Sequence, residues 1–232
     1  VLLQHLADTQ NLINDASGQF FRIETLTNYV NRARRRIALA SGCIRLMPQG
    51  AQTVANQEKY LFKDWMPMVQ TEIPGARCIF AVHSVAVALA PGPGAWKPVW
   101  NRLPWTDFQA RMRIWNRSWV GTISYPGYYA QYSFGTTGSL YLAPIPSMSQ
   151  PMDVDCSCLP FDLQRDDDPE AIPEPWVDAV PFYAAFLCLM QQQRGQDAAG
   201  IYQMFSAELP FCAATVAPRM ITSPYGAIVR SS

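Results

Sequence analysis

The sequence predicts an α+β protein. A discontinuous helical bundle comes from both termini, and an antiparallel β domain, sandwich- or barrel-like, is inserted between its halves. Three observations predict this. Apolar residues keep a 3.6-residue period over residues 22–40 and again over 175–209. Between 43 and 160 the period shortens towards two and β-branched residues become frequent. A polar, proline-rich break over 165–175 then returns the chain to helix. The implied division is a helical part at 1–45, a β domain at 46–160, and a second helical part with a C-terminal extension at 161–232. Such an insertion needs its two ends close together.

The first helix is predicted over 1–14. Val1, Leu2, Leu6, Leu12 and Ile13 give a loose apolar face, and Asp15-Ala16-Ser17-Gly18 ends it. The second is predicted over 22–40, where Ile23, Leu26, Val30, Ala33, Ile37 and Ala40 follow in steps of three and four. Gly42 stands just past its end, where a left-handed backbone favours glycine. Arg32, Arg35 and Arg36 lie on the opposite face, with Arg34 beside them. Unpaired carbonyls at that end favour cations by about 0.3–1 kcal/mol each. Residues 51–61 and 76–89 read as β phrases, and 91–94 as a turn. Residues 105–111 read as a short helix capped by Thr106 or Asp107. Residues 121–133, 138–144 and 152–158 complete the strands.

The densest apolar stretch lies at 175–209. Val177, Val180, Ala184, Leu187, Cys188 and Gln191 share one stripe, and Phe182, Tyr183, Phe186 and Leu189 make the flanks apolar too. With a turn at Gly195 and a second helical phrase over 198–209, the pattern predicts an αα-hairpin. Glu174 and Pro175 suit its first turn. A helix apolar nearly all round needs cover on more than one side. Other elements, or other copies of the chain, must provide it.

The 232 residues fit one large or two small domains, and 49% apolar content supports a core. A formal net charge of zero gives no whole-protein field for nucleic acid or an anionic membrane. Charge is nonetheless segregated. Residues 1–50 hold six arginines and three acids, 95–120 five cations and one acid, and 150–180 nine acids and one arginine. Opposite patches suit head-to-tail copies, and equally suit internal salt bridges. The longest strongly apolar run, 179–190, is well short of the roughly 20 residues a membrane span needs. The opening residues carry no signal-peptide pattern. The six cysteines are expected as free, mostly buried thiols, which fits assembly in a reducing cytoplasm.

His5 and His83 sit in no catalytic or ligand motif, so neither enzymatic activity nor a cofactor is expected. Cys156 and Cys158 share one side of a strand but lack two further zinc ligands at short spacing. Asp166, Asp167, Asp168 and Glu170 read as a solvated acidic loop or a contact for a basic partner. Their spacing is not that of a calcium loop. Trp96, Trp100, Trp105, Trp115 and Trp119, followed by Tyr125, Tyr128, Tyr129, Tyr132 and Phe134, could form an interface, a stacking groove or ordinary core.

Four stretches carry a family likeness. They are residues 26–38 with Gly42-Cys43-Ile44-Arg45; Gly138-Ser139-Leu140-Tyr141-Leu142-Ala143-Pro144-Ile145-Pro146 leading to Asp155-Cys156; Leu163 through the acidic loop to Pro175; and the helix pair over 181–199 with its Gln-Arg-Gly turn. In this order they resemble the head-to-tail adaptor (connector, or tubular tail A) proteins of short-tailed bacteriophages. Residues 50–135 match that pattern least. The resemblance implies a structural virion protein at the head–tail junction, assembled in the host cytoplasm as a dodecameric ring. A portal protein would lie above it and a nozzle or other tail protein below. Double-stranded DNA would pass through the lumen without sequence-specific binding. No activity, cofactor or membrane is implied. The residues expected at its interfaces or channel are Arg32, Arg34, Arg35, Arg36, Arg45, Asp166, Asp167, Asp168, Glu170, Trp96, Trp100, Trp105, Phe182 and Phe186. Sliding DNA favours weakly binding walls, so the arginines are expected to meet protein. The competing reading is a β-rich carbohydrate-binding module or tail component that uses its Trp and Tyr rings as stacking surfaces.

Overall fold

The computed structural model describes residues 1–15, 18–88, 96–99, 101–112, 125–216, 221–222 and 228–229. The elements in order are α1 (Leu2–Leu12), α2 (Ile23–Ser41), β1 (Arg45–Leu46), β2 (Lys59–Leu61), α3 (Phe62–Glu72), β3 (Ala76–Ala88), β4 (Trp96–Pro98), β5 (Asn101–Arg102), α4 (Trp105–Asp107), β6 (Tyr128–Tyr132), β7 (Ser139–Ala143), β8 (Met152–Pro160), α5 (Val180–Gln191), α6 (Gly195–Val216), β9 (Ile221–Thr222) and β10 (Ile228–Val229). The fold is α+β. Two compact units divide the chain: Val1–Ile37 with Pro173–Ser232, and Ala38–Ile172.

In the first unit α1 packs on α5, and α5 on α6. α1 buries Leu2, His5, Leu6 and Thr9. Asp15 ends this segment by accepting the backbone N–H groups of Gln19 at 2.8 Å, Phe20 at 3.1 Å and Phe21 at 3.2 Å. The apolar strip of α2 is buried at Leu26, Val30, Ala33 and Ile37, while its ends at Ile23 and Ala40 are exposed. The predicted hairpin is present with three differences. A 3-10 turn, Trp176–Ala179, precedes α5, so Pro181 rather than Pro175 occupies the first helical turn. The left-handed turn residue is Gln193, with φ of 60°, and Gly195 instead starts α6. α6 also runs on past Pro210 to Val216.

The second unit holds two four-stranded sheets, ordered β1-β8-β3-β4 and β2-β7-β6-β5. They do not close into a barrel. Pairing is antiparallel except between β5 and β6, which are parallel. The long connection from Arg102 to Tyr128 makes such a crossover possible. β3 pairs with β8 over most of its length, with register shifts at Ala76/Cys78, Ile79/Ala81 and Val82/Ser84. β8 is buried on both faces, so its alternating polarity does not mark an outer side. Gly42, at φ 63°, donates its N–H to Ala38 O at 2.9 Å and caps α2 as predicted.

Two sequence expectations fail in this unit, and one helix is not foreseen. Residues 51–61 contain only β2 and an isolated bridge, Gln52 to Pro151. The helix α3 stands between the β phrases predicted at 51–61 and 76–89, in a stretch for which no element is predicted. Pro67 inside it removes a helical donor, yet burial of Phe62, Trp65 and Val69 holds it in place. Pro104, not Thr106 or Asp107, precedes α4 and makes no side-chain cap. α4 then passes into a π-helix, Phe108–Met112. The predicted turn at 91–94 and most of the strand phrase at 121–133 before β6 lie outside the described residues.

Candidate interaction surface

The helical hairpin of the first unit carries an aromatic ladder. Tyr183 and Phe186 stand three apart on α5, and Tyr202 and Phe205 three apart on α6. In an antiparallel pair that spacing brings them into two rungs. Tyr183 meets Phe205 with ring centroids 4.9 Å apart, and Phe186 meets Tyr202 at 5.1 Å. Tilted pairs at such distances add about 0.5–1.5 kcal/mol beyond simple burial. The ladder is only partly covered: Tyr183 and Phe186 are half-buried and Tyr202 is exposed. Met190 continues the Tyr183–Phe186 stripe and is 52% exposed. On a second stripe of α6, Met204 is 51% and Phe211 63% exposed. One face of α5 is therefore well packed, through Val180, Ala184, Ala185, Cys188 and Leu189, while large side chains remain open on the others.

The predicted site residues fall into two sets. In the helical unit, Arg32 and Arg36 are exposed and Arg35 is half-buried, donating to Asn31 O at 3.3 Å. Arg34 is not on the exposed row: it is 0% exposed and its guanidinium donates to Asn31 Oδ1 at 3.3 Å. It stands four residues from Val30 and from Ala38, both buried, so the interior strip of α2 is wider than the apolar pattern shows. Phe186 belongs to the ladder. Phe182 is half-buried and lines a groove between α1 and the start of α5.

In the second unit, Arg45 grips Asp155. Its Nε donates to Oδ1 at 2.7 Å and its Nη2 donates to Oδ2. Asp155 is 7% exposed, so this arginine serves to satisfy a buried carboxylate. His83, beside them, hydrogen-bonds Ser157 Oγ through Nε2 at 2.7 Å, and that hydroxyl donates to Gly42 O at 3.2 Å. One hydroxyl proton cannot serve both partners, so Nε2–H is the donor to Ser157. With Asp155 engaged by Arg45, the trio is a brace from β8 to the end of α2. Partial burial, then Arg45, pushes the His83 imidazole below its usual range, with Asp155 opposing and Arg102 adding to the fall.

The acidic loop is built rather than bare. Asp168 Oδ2 accepts from the N–H groups of Gln164 at 2.6 Å and Arg165 at 2.8 Å, and Glu170 Oε1 accepts from Ile172 N at 3.0 Å. Asp166 and Asp167 face solvent. Trp105 is used in packing, its ring 4.7 Å from Tyr132, 4.6 Å from Tyr141 and 6.1 Å from Phe108. Trp96 is exposed on β4. Trp100, Trp115 and Trp119 lie outside the described residues.

Sequence reasoning missed Tyr202 and Phe205, although their spacing mirrors Tyr183 and Phe186. All six cysteines are free. Burial pushes the thiols of Cys43, Cys78 and Cys212 up, and Cys188, with Asp15 adding to burial, reaches about 12. Such thiols are poor nucleophiles. Among the described residues no group of three His, Cys, Asp or Glu could hold a metal, and no helix is long and apolar enough to cross a membrane. Searches of the sequence against protein-family models and against curated proteins returned no match.

Proposed function

We propose that this chain is a structural virion protein, an adaptor whose copies form a ring between a portal protein and the next tail component, with DNA passing through the lumen. The observation that carries this reading is the apolar surface left open on the helical hairpin. Met190, Tyr202, Met204 and Phe211 are exposed in one copy, on helices that the sequence marks as unusually apolar. Scattered exposed apolar side chains are ordinary, but several large ones on one helix pair mark a contact surface. A ring gives each hairpin a neighbour. The adaptor resemblance, which includes the same helix pair, names the neighbour as a sister copy.

The glycan-binding alternative draws less support. Trp105, one of its expected platforms, packs against the rings of Phe108, Tyr132 and Tyr141, which leaves Trp96 as the exposed tryptophan among the described residues. The test is to incubate the full chain with the portal protein and image the mixture by negative stain. Rings with a central hole seated on the portal are expected. A monomer that ignores the portal and is retained by a glycan column would contradict the adaptor reading.

A further inference from the structure

We propose that the groove between α1 and the start of α5 receives the arginine face of α2 from a second copy of this chain, so that copies join head to tail. This rests on the ring reading above and specifies which surfaces meet.

The groove has a volume of about 380 Å³. Leu12, Pro181 and Phe182 give it an apolar lining, and Gln4, Asp8 and Asp178 give it a polar, acidic one. Asp8 and Asp178 are exposed. Arg32 and Arg36 are exposed as well, and their four-residue separation puts them on one face of α2. Among the described residues, none of these four charges has an ion-pair partner in its own chain. The unit thus presents two unpaired acids at one place and two unpaired arginines at another.

Their placement keeps them apart within one copy. The groove lies at the start of α5. α2 touches the other end of that helix, where Tyr29 Oη donates to Gln191 Oε1 at 2.6 Å. Twelve residues of helix separate the two ends by about 18 Å. A surface and its complement at opposite ends of one unit make a heterologous contact, which repeats from copy to copy and closes into a ring if the rotation permits. The chemistry fits an arginine occupant. Arg32 holds its guanidinium carbon 6.0 Å from the centroid of the Tyr29 ring, and it is exposed, so its N–H groups can meet a carboxylate. Arginine stems are apolar and pack on a lining such as Pro181 and Phe182, while the head reaches the acidic rim.

The test uses the full chain and two charge-reversed variants, one with Arg32→Glu and Arg36→Glu, the other with Asp8→Lys and Asp178→Lys. Circular dichroism checks that both are folded. Self-association is read by sedimentation velocity. Each variant alone is expected to associate about tenfold or more weakly than the wild type, since close interfacial charge pairs have couplings of that size or larger. An equimolar mixture is expected to recover assembly, because each altered surface then faces a matching partner. A single chain with all four changes is expected to recover it too. Variants that assemble like the wild type would overturn the groove contact while leaving the ring reading intact. So would a groove variant that the mixture fails to rescue, which would point to a basic segment of another protein as the occupant. A wild-type chain that stays monomeric, alone and with the portal protein, would overturn both.

Discussion

Gln131 of β6 completes the backbone bonding of β3 where that strand departs from regular pairing. Its Oε1 accepts from Val82 N at 2.9 Å, and its Nε2 donates to Phe80 O at 2.8 Å. Both backbone groups sit beside the register shifts at Ile79/Ala81 and Val82/Ser84. A bulge leaves such groups without a strand partner. One amide side chain answers a donor and an acceptor at once and ties the two sheets together. Gln131→Ala is therefore predicted to destabilise the second unit by about 1–3 kcal/mol, the usual cost of orphaning partly buried polar groups. Urea denaturation followed by tryptophan fluorescence measures it. A change near zero would mean that water replaces the amide.

Asp15 does comparable work at the end of α1, where three backbone N–H groups converge on one carboxylate. Asp15→Ala is expected to cost about 1–3 kcal/mol, and Asp15→Asn less, because one acceptor oxygen remains. Thermal denaturation of the two variants ranks them. Equal losses would show that charge, rather than geometry, sets the effect.

Gly75 is a packing requirement. A Cβ there would lie 2.6 Å from the Pro169 carbonyl oxygen and 2.9 Å from the Ala171 methyl. A backbone oxygen cannot swing away as a flexible side chain can. Gly75→Ala is predicted to lower stability by about 1–3 kcal/mol through forced backbone shifts. An unchanged melting temperature would contradict that close approach.

His83 sets a pH dependence. Its imidazole is held below the usual range by partial burial and by Arg45. The unfolded chain, with an ordinary value of about 6.5, therefore binds the proton more readily than the folded one. Stability from this group is present above about pH 6.5 and is lost as the pH falls towards the lowered folded value. His83→Gln should flatten the stability curve on the acid side of neutrality while leaving the alkaline side alone. A curve as steep as the wild type's would assign the acid loss to other groups.

The α+β class and most long elements could be read from the sequence because each rests on a local period. α2, β3, β7, β8 and the helix pair all follow from spacing that needs no partner to be seen. α3 could not be read in this way. Its Pro67 signals a break, and only the burial of Phe62, Trp65 and Val69 makes the helix hold. Gly195 draws attention as a turn residue, yet Gln193 takes the left-handed position, because the turn's place is set by where α5 and α6 pack. The arginine row illustrates the limit for sites. Charge alone groups Arg34 with Arg32 and Arg36. The fold turns Arg34 inward, beside Asn31, and leaves the other two outside. Trp105 is a similar case, since composition cannot tell a stacking platform from a ring already packed against Tyr132 and Tyr141.

In the proposed ring, neighbouring copies cover the open apolar side chains of α5 and α6. Native mass spectrometry of the full chain, alone and mixed with the portal protein, tests this most directly. A single closed multiple of the chain mass, with no open-ended ladder, is the predicted result. A lone monomer under both conditions would contradict it.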